Sequence, residues 1–72
     1  MDGELQQRVG RVVRRIRRGR GLSQEQLADV LGVHRTFLGG VERGERNLTL
    51  RSVERLAAGL GIDPDELLRP GS

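Results

Sequence analysis

Seventy-two residues, 32% of them charged and 35% hydrophobic, set the scale of one small domain with a modest core. There is no cysteine and only one histidine, which excludes a disulfide framework and the common Cys/His zinc clusters. No apolar run approaches the roughly 18 residues of a membrane span and no signal-peptide pattern is present, so a soluble chain that stays where it is made is expected.

The net charge of +3 hides an asymmetry. Residues 1–20 hold seven Arg against Asp2 and Glu4, while the remainder is slightly acidic. Every basic residue is Arg; a GC-rich genome explains this more simply than function does. An enzyme reading lacks its parts. There is no thiol nucleophile, the lone His has no evident triad partners, and no Gly-rich phosphate loop or metal cluster appears. No cofactor or metal is expected.

In chain order, residues 4–18 form the first expected helix. Leu5, Val9, Val12 or Val13, and Ile16 share one stripe. Arg11 and Arg18 lie opposite it, Arg8 and Arg15 flank it, and Arg17 sits at its edge. A solvated basic face is the simple reading of all these Arg except Arg17. Ser23 then caps a second helix, with Gln26 three residues on completing a capping box. Leu27, Val30 and Leu31 are its expected inward face, and Ala28 permits a close crossing. Gly32 supplies the positive φ that turns the chain. His34 is a cap residue for a third helix, in which Leu38 and Val41 face inward and after which Gly44 is a second stop. Two short helices joined by a Gly turn make a helix-turn-helix over residues 23–43. The loop Glu45-Arg46-Asn47 is short and polar. Thr49 caps a fourth helix through Leu50, Val53, Leu56, Ala57 and Leu60, whose end, bracketed by Gly59 and Gly61, is expected to fray. Asp63-Pro64-Asp65-Glu66 opens a fifth helix of about a turn and a half, ending near Leu68. Residues 69–72 are expected to fray. The expectation is an all-α, five-helix, single domain over residues 1–72.

The run GLSQEQLADVLGVHRTFLGGVERGERNLTL resembles the lambda-repressor-like (XRE/Cro-type) helix-turn-helix family, whose pattern is roughly G-L-S-Q-x-x-L-A-x-x-x-G-[VL]-x-R-x-x-[IVL]-x-x-[IVL]-E-x-G. Through HRTFLGGVERGERNLTL it is most like the restriction–modification controller proteins. The likeness spans about residues 9–68. Gly39 departs from it, standing where the family usually has Ser or another polar residue.

The resemblance implies a bacterial, sequence-specific regulator of transcription, with the helix over residues 34–43 in the major groove of a palindromic operator. Arg35 and Thr36, in its first turn, are the expected base readers. The Arg fork matches guanine O6 and N7, and Thr can donate to a base or pack on a thymine methyl. Phe37 lies on the flank, either in the core or against a base or sugar. Gly39 and Gly40 cost helix stability, about 1 kcal/mol each relative to Ala. They mark either a close backbone approach or an early helix end. Ser23 and Gln24, at a helix N-terminus, and Arg17, His34, Arg43, Arg46 and Asn47 are assigned to the DNA backbone. The family also pairs the Arg at position 17 with the Glu at position 42.

One recognition helix reads too little sequence alone, so a homodimer is expected, joined through Leu60, Ile62, Leu67 and Leu68. The bland alternative is that these residues only close the monomer's core. Glu25 with Asp29 would face RNA polymerase in an activator. A regulator of this kind works in the cytoplasm, on the nucleoid. Two other readings stand beside it: an antitoxin-like protein-interaction module of the same fold, or the DNA-binding part of a longer regulator.

Overall fold

The computed structural model describes residues 3–69, and within them every regular element is a helix. The helices are α1 (Gly3–Gly19), α2 (Gln24–Leu31), α3 (Arg35–Glu42), α4 (Leu50–Leu60) and α5 (Pro64–Leu68). The all-α, five-helix expectation holds, with boundaries within a residue. Expected fraying at residues 70–72 lies outside the described residues. Arg69, which is described, takes an extended conformation after α5.

The helices pack around Val9, Val12 and Val13 of α1, Leu27 and Leu31 of α2, Leu38 and Val41 of α3, Val53, Leu56 and Leu60 of α4, and Leu67 of α5. Helix α1 lies against α3 and α5, and α2 against α3 and α4. Burying each of these Leu or Val side chains contributes about 1.5–3 kcal/mol, most of which chain ordering offsets. Gly10 is where α1 and α3 come closest. A Cβ there would run into the Val41 carbonyl oxygen and stand 2.9 Å from that of Glu42. Only a glycine lets α1 lie directly on the last turn of α3.

Local chemistry sets each boundary. The Ser23 side chain accepts from Gln26 N while Gln26 Oε1 accepts from Ser23 N, the reciprocal capping box expected from sequence. Gly32 takes φ 68°, and its N–H closes α2 onto the carbonyls of Ala28 and Asp29. Thr49 Oγ1 accepts from Ser52 N at the start of α4.

Three sequence expectations change. Val30 is 58% exposed. The buried side of α2 is Leu27, Ala28 and Leu31, because α3 and α4 both pack there and Ala28 draws the face toward itself, rotating Val30 outward. Leu50 is likewise exposed, and Leu48 takes its place inside. Leu48 precedes the Thr49 cap and shares the core with Val53, the positions of a hydrophobic staple. Its N–H donates to Gln6 Oε1 at 3.0 Å, pinning the loop to α1. The end of α4 is closed rather than frayed. Gly61 at φ 73° and Ile62 both donate back to the last turn.

Candidate nucleic-acid interface

Glu42, in the last turn of α3, is the anchor of the site. Its side chain is fully buried, yet it is surrounded by donors. Arg17 of α1 grips it with both arms of its fork, Nε to Oε2 at 2.7 Å and Nη2 to Oε1 at 3.0 Å. Gln24 Nε2, at the first position of α2, donates to Oε1 at 3.1 Å. Arg14 Nε approaches the same oxygen at 3.5 Å. Burial alone pushes the Glu42 carboxyl up. The hydrogen bonds from Arg17 and Gln24 and the Arg17 charge outweigh it, holding the group below its ordinary value. The bond to Glu42 likewise raises Arg17. The expected Arg17–Glu42 pair is therefore present. It locks α1, the start of α2 and the end of α3 into one geometry.

Helix α3 begins at His34, whose Nδ1 accepts from Thr36 N at 3.0 Å. The His therefore serves as the helix cap the sequence suggested. Arg35 and Thr36 follow, both exposed. They join Gln24, Gly39 and Arg43 around a shallow depression of about 210 Å³. Residues from two helices and nearly twenty positions of chain thus share one surface, and each of them was singled out from sequence.

Of the two sequence readings of the glycines, the early helix end fails and a close approach is seen, made by side chains of this same chain. Helix α3 does not end early; it runs through both to Glu42. Both are buried under neighbouring side chains. A Cβ at Gly39 would meet Arg43 Nη1 at 3.1 Å and Gln24 Oε1 at 3.7 Å. One at Gly40 would stand 2.7 Å from Arg46 Cγ. Phe37 is half-buried against the core, with the Arg46 guanidinium 4.9 Å from its ring centroid. Arg43 Nε donates to Glu45 Oε1 at 3.1 Å, and Arg46 and Asn47 are exposed.

Other assigned residues are more committed. Ser23 and His34 spend their side chains on caps, and Arg17 also donates to the Leu22 carbonyl at 2.9 Å. Leu60 and Leu67 are sealed inside the single chain, leaving Ile62 and Leu68 as the half-buried members of the expected dimer set. Sequence reading missed the arginines that tie α1 down. Arg14 joins Glu42, Arg20 donates to the Leu60 carbonyl at 2.6 Å, and Arg8 reaches the Leu68 carbonyl at 3.5 Å. The last two sit at the negative ends of α4 and α5, where a cation is favoured. Arg14 was findable, since it lies one turn before Arg17 on the same helix.

A capped two-helix unit with a Gly turn, bearing a polar first turn on its second helix, defines a helix-turn-helix DNA-binding domain. The Helix-turn-helix family model matches residues 13–67, and the chain belongs to that family. It is a DNA-binding transcriptional regulator. Among relatives, it is 38% identical over 69 residues to control protein C.BamHI of Bacillus amyloliquefaciens, covering 94% of this chain and 85% of that one. It is 50% identical over 56 residues to control protein C.SmaI of Serratia marcescens, covering 78% and 67%. The crystal structure of the restriction–modification controller protein C.AhdI from Aeromonas hydrophila superposes with a TM-score of 0.76 at 45% identity, covering 86% of this chain and 94% of that one. The hypothetical transcription factor NHTF from Neisseria gives 0.85 at 36% identity, covering 99% and 83%.

Proposed function

We propose that the protein is a restriction–modification controller that binds a palindromic operator as a homodimer, with α3 of each copy in the major groove. The observation that carries this reading is the single depression formed by Gln24, Arg35, Thr36 and Arg43. It sets a planar donor fork and a hydroxyl beside the N-terminus of α2, where free N–H groups favour phosphate. In this reading Arg35 and Thr36 take base edges, with Phe37 on their flank, while Gly39 and Gly40 lie beneath the side chains of Arg43, Gln24 and Arg46. Gln24, Arg43, Arg46 and Asn47 take the sugar–phosphate backbone. Arg17, Ser23 and His34 act chiefly by fixing the geometry, Arg17 offering phosphate its remaining guanidinium protons.

The homodimer forms through α5 and the end of α4. Ile62 and Leu68, packed on the core yet partly open, supply its apolar centre. Glu25 and Asp29, exposed on α2, are the surface offered to polymerase. The protein works in the cytoplasm on the nucleoid, without cofactor, catalysis or membrane contact. No described helix is long and apolar enough to cross a membrane. Mobility shifts of random and selected duplexes test this function. Tight, salt-sensitive binding to the selected duplex supports it, and equal weak binding to both contradicts it.

A further inference from the structure

We propose that Gly40 and Phe37 are positioning residues for Arg46, so that this loop arginine is held ready for a DNA phosphate beside the C-terminal half of the α3 reading face. The inference rests on the DNA-binding reading and deepens it.

Gly40 stands inside α3, where glycine weakens a helix relative to alanine. The structure shows what its missing methyl makes room for. A Cβ would stand 2.7 Å from Arg46 Cγ and 3.0 Å from Cδ, so the aliphatic stem of Arg46 lies in the slot glycine leaves. The guanidinium beyond it stacks over Phe37, one turn earlier on α3, at 4.9 Å from the ring centroid. The loop backbone is fastened at the same place, Glu45 N donating to the Gly40 carbonyl at 2.9 Å.

Two further facts make the arrangement a means of presentation rather than of storage. Among the described residues no carboxylate lies within ion-pair reach of Arg46, whereas neighbouring Arg43 is held by Glu45. Gly40 also follows Thr36 by four residues, on the row that continues the reading face toward the C-terminus of α3. Gly40 has no side chain of its own there. Arg46 covers that position, with its stem seated and its charge unpaired. An arginine fixed in this way loses less freedom on meeting DNA than one free in a loop.

The test is a double-mutant cycle on the wild type, Gly40→Ala, Arg46→Ala and the double variant, each titrated with the duplex enriched from a random pool. Gly40→Ala should weaken binding about tenfold and lower the salt slope by about one per protomer, as Arg46→Ala does. The double variant should bind no more weakly than Arg46→Ala alone. Thermal melts should place Gly40→Ala at or above the wild type, because alanine favours the helix. Wild-type affinity for Gly40→Ala, or a Gly40→Ala penalty that persists without Arg46, overturns the proposal. A readout without DNA keeps it separate from the function itself. In the free wild type the Arg46 side-chain protons should resonate upfield through the Phe37 ring current, and the shift should vanish in Phe37→Leu. Random-coil positions in the wild type overturn the positioning even if the protein binds DNA. If instead no duplex is enriched, the DNA reading fails while these resonances still decide the stack.

Discussion

Arg35 and Glu42 sit at opposite ends of α3 and divide its labour. Arg35 is exposed, and its fork is free to match two acceptors on guanine. Arg35→Ala should cost about 1–3 kcal/mol on the best site and relax preference at one base pair per half-site. Gln24→Ala and Arg46→Ala should weaken all duplexes about equally, because phosphate contacts carry no sequence. Titrations against a panel of single-base variants check both, and the reverse pattern would place the reading face elsewhere. Glu42 does its work inside. Removing it leaves Arg17 and Arg14 facing an empty buried site, and breaking a buried pair from one side costs about 3–5 kcal/mol. That equals the whole stability a core of this size usually supplies, so Glu42→Ala should be largely unfolded by circular dichroism. The pH dependence has a fixed sign. The folded-state carboxyl titrates below its value in the unfolded chain, so its stabilisation is complete above the ordinary carboxylate range. It drains as pH falls through the lowered folded value. Denaturant midpoints should therefore fall in acid for the wild type and fall less for Glu42→Gln. Parallel curves would mean the pair contributes nothing to the acid limb.

At the scale of elements, helix starts and stops were the most legible part of the chain. Ser23 with Gln26, Thr49, and Asp63-Pro64 are local signals that use only neighbouring backbone, and the structure uses each as a cap. What was not legible is how each helix is rotated against the others. Val30 fits a helical stripe by spacing alone but lies outside, because the partners of α2 choose the Ala28 side. Gly10 carries no sequence signal, yet it sets the crossing of α1 and α3. Gly10→Ala gains about 1 kcal/mol of helix propensity and forces a methyl into the Val41 carbonyl. Overpacking of this kind costs about 1–3 kcal/mol, more where only backbone can yield. A net fall in melting temperature is expected, and a rise would show that α1 can lift away freely. The residues that line the depression of the proposed reading face were all visible, since motif spacing fixes their places on α2 and α3. The Arg46–Phe37–Gly40 assembly was not, since it depends on how a loop folds back on a helix.

For the whole molecule, the question is how a 72-residue chain distinguishes one site among many. A single exposed turn bearing Arg35 and Thr36 offers few groups to base edges, and the proposed dimer doubles that number while fixing the spacing. Since Leu67 is sealed in the monomer, Leu68→Asp is the cleaner probe of the dimer. Sedimentation equilibrium should show a wild-type dimer and a folded, weakly associating Leu68→Asp monomer. If the dimer neutralises about 6–10 phosphates, its affinity for DNA should drop roughly 10³–10⁵-fold between 50 and 200 mM salt.

The most direct measurement of the central claim is selection of bound duplexes from a fully random pool, followed by sequencing. It should return a two-fold symmetric motif whose half-sites are centred about 34 Å apart, one helical turn, or a multiple of that. Each half-site should contain a guanine whose preference disappears in Arg35→Ala. A pool that emerges unenriched, or one enriched for a motif that Arg35→Ala selects unchanged, would contradict the account.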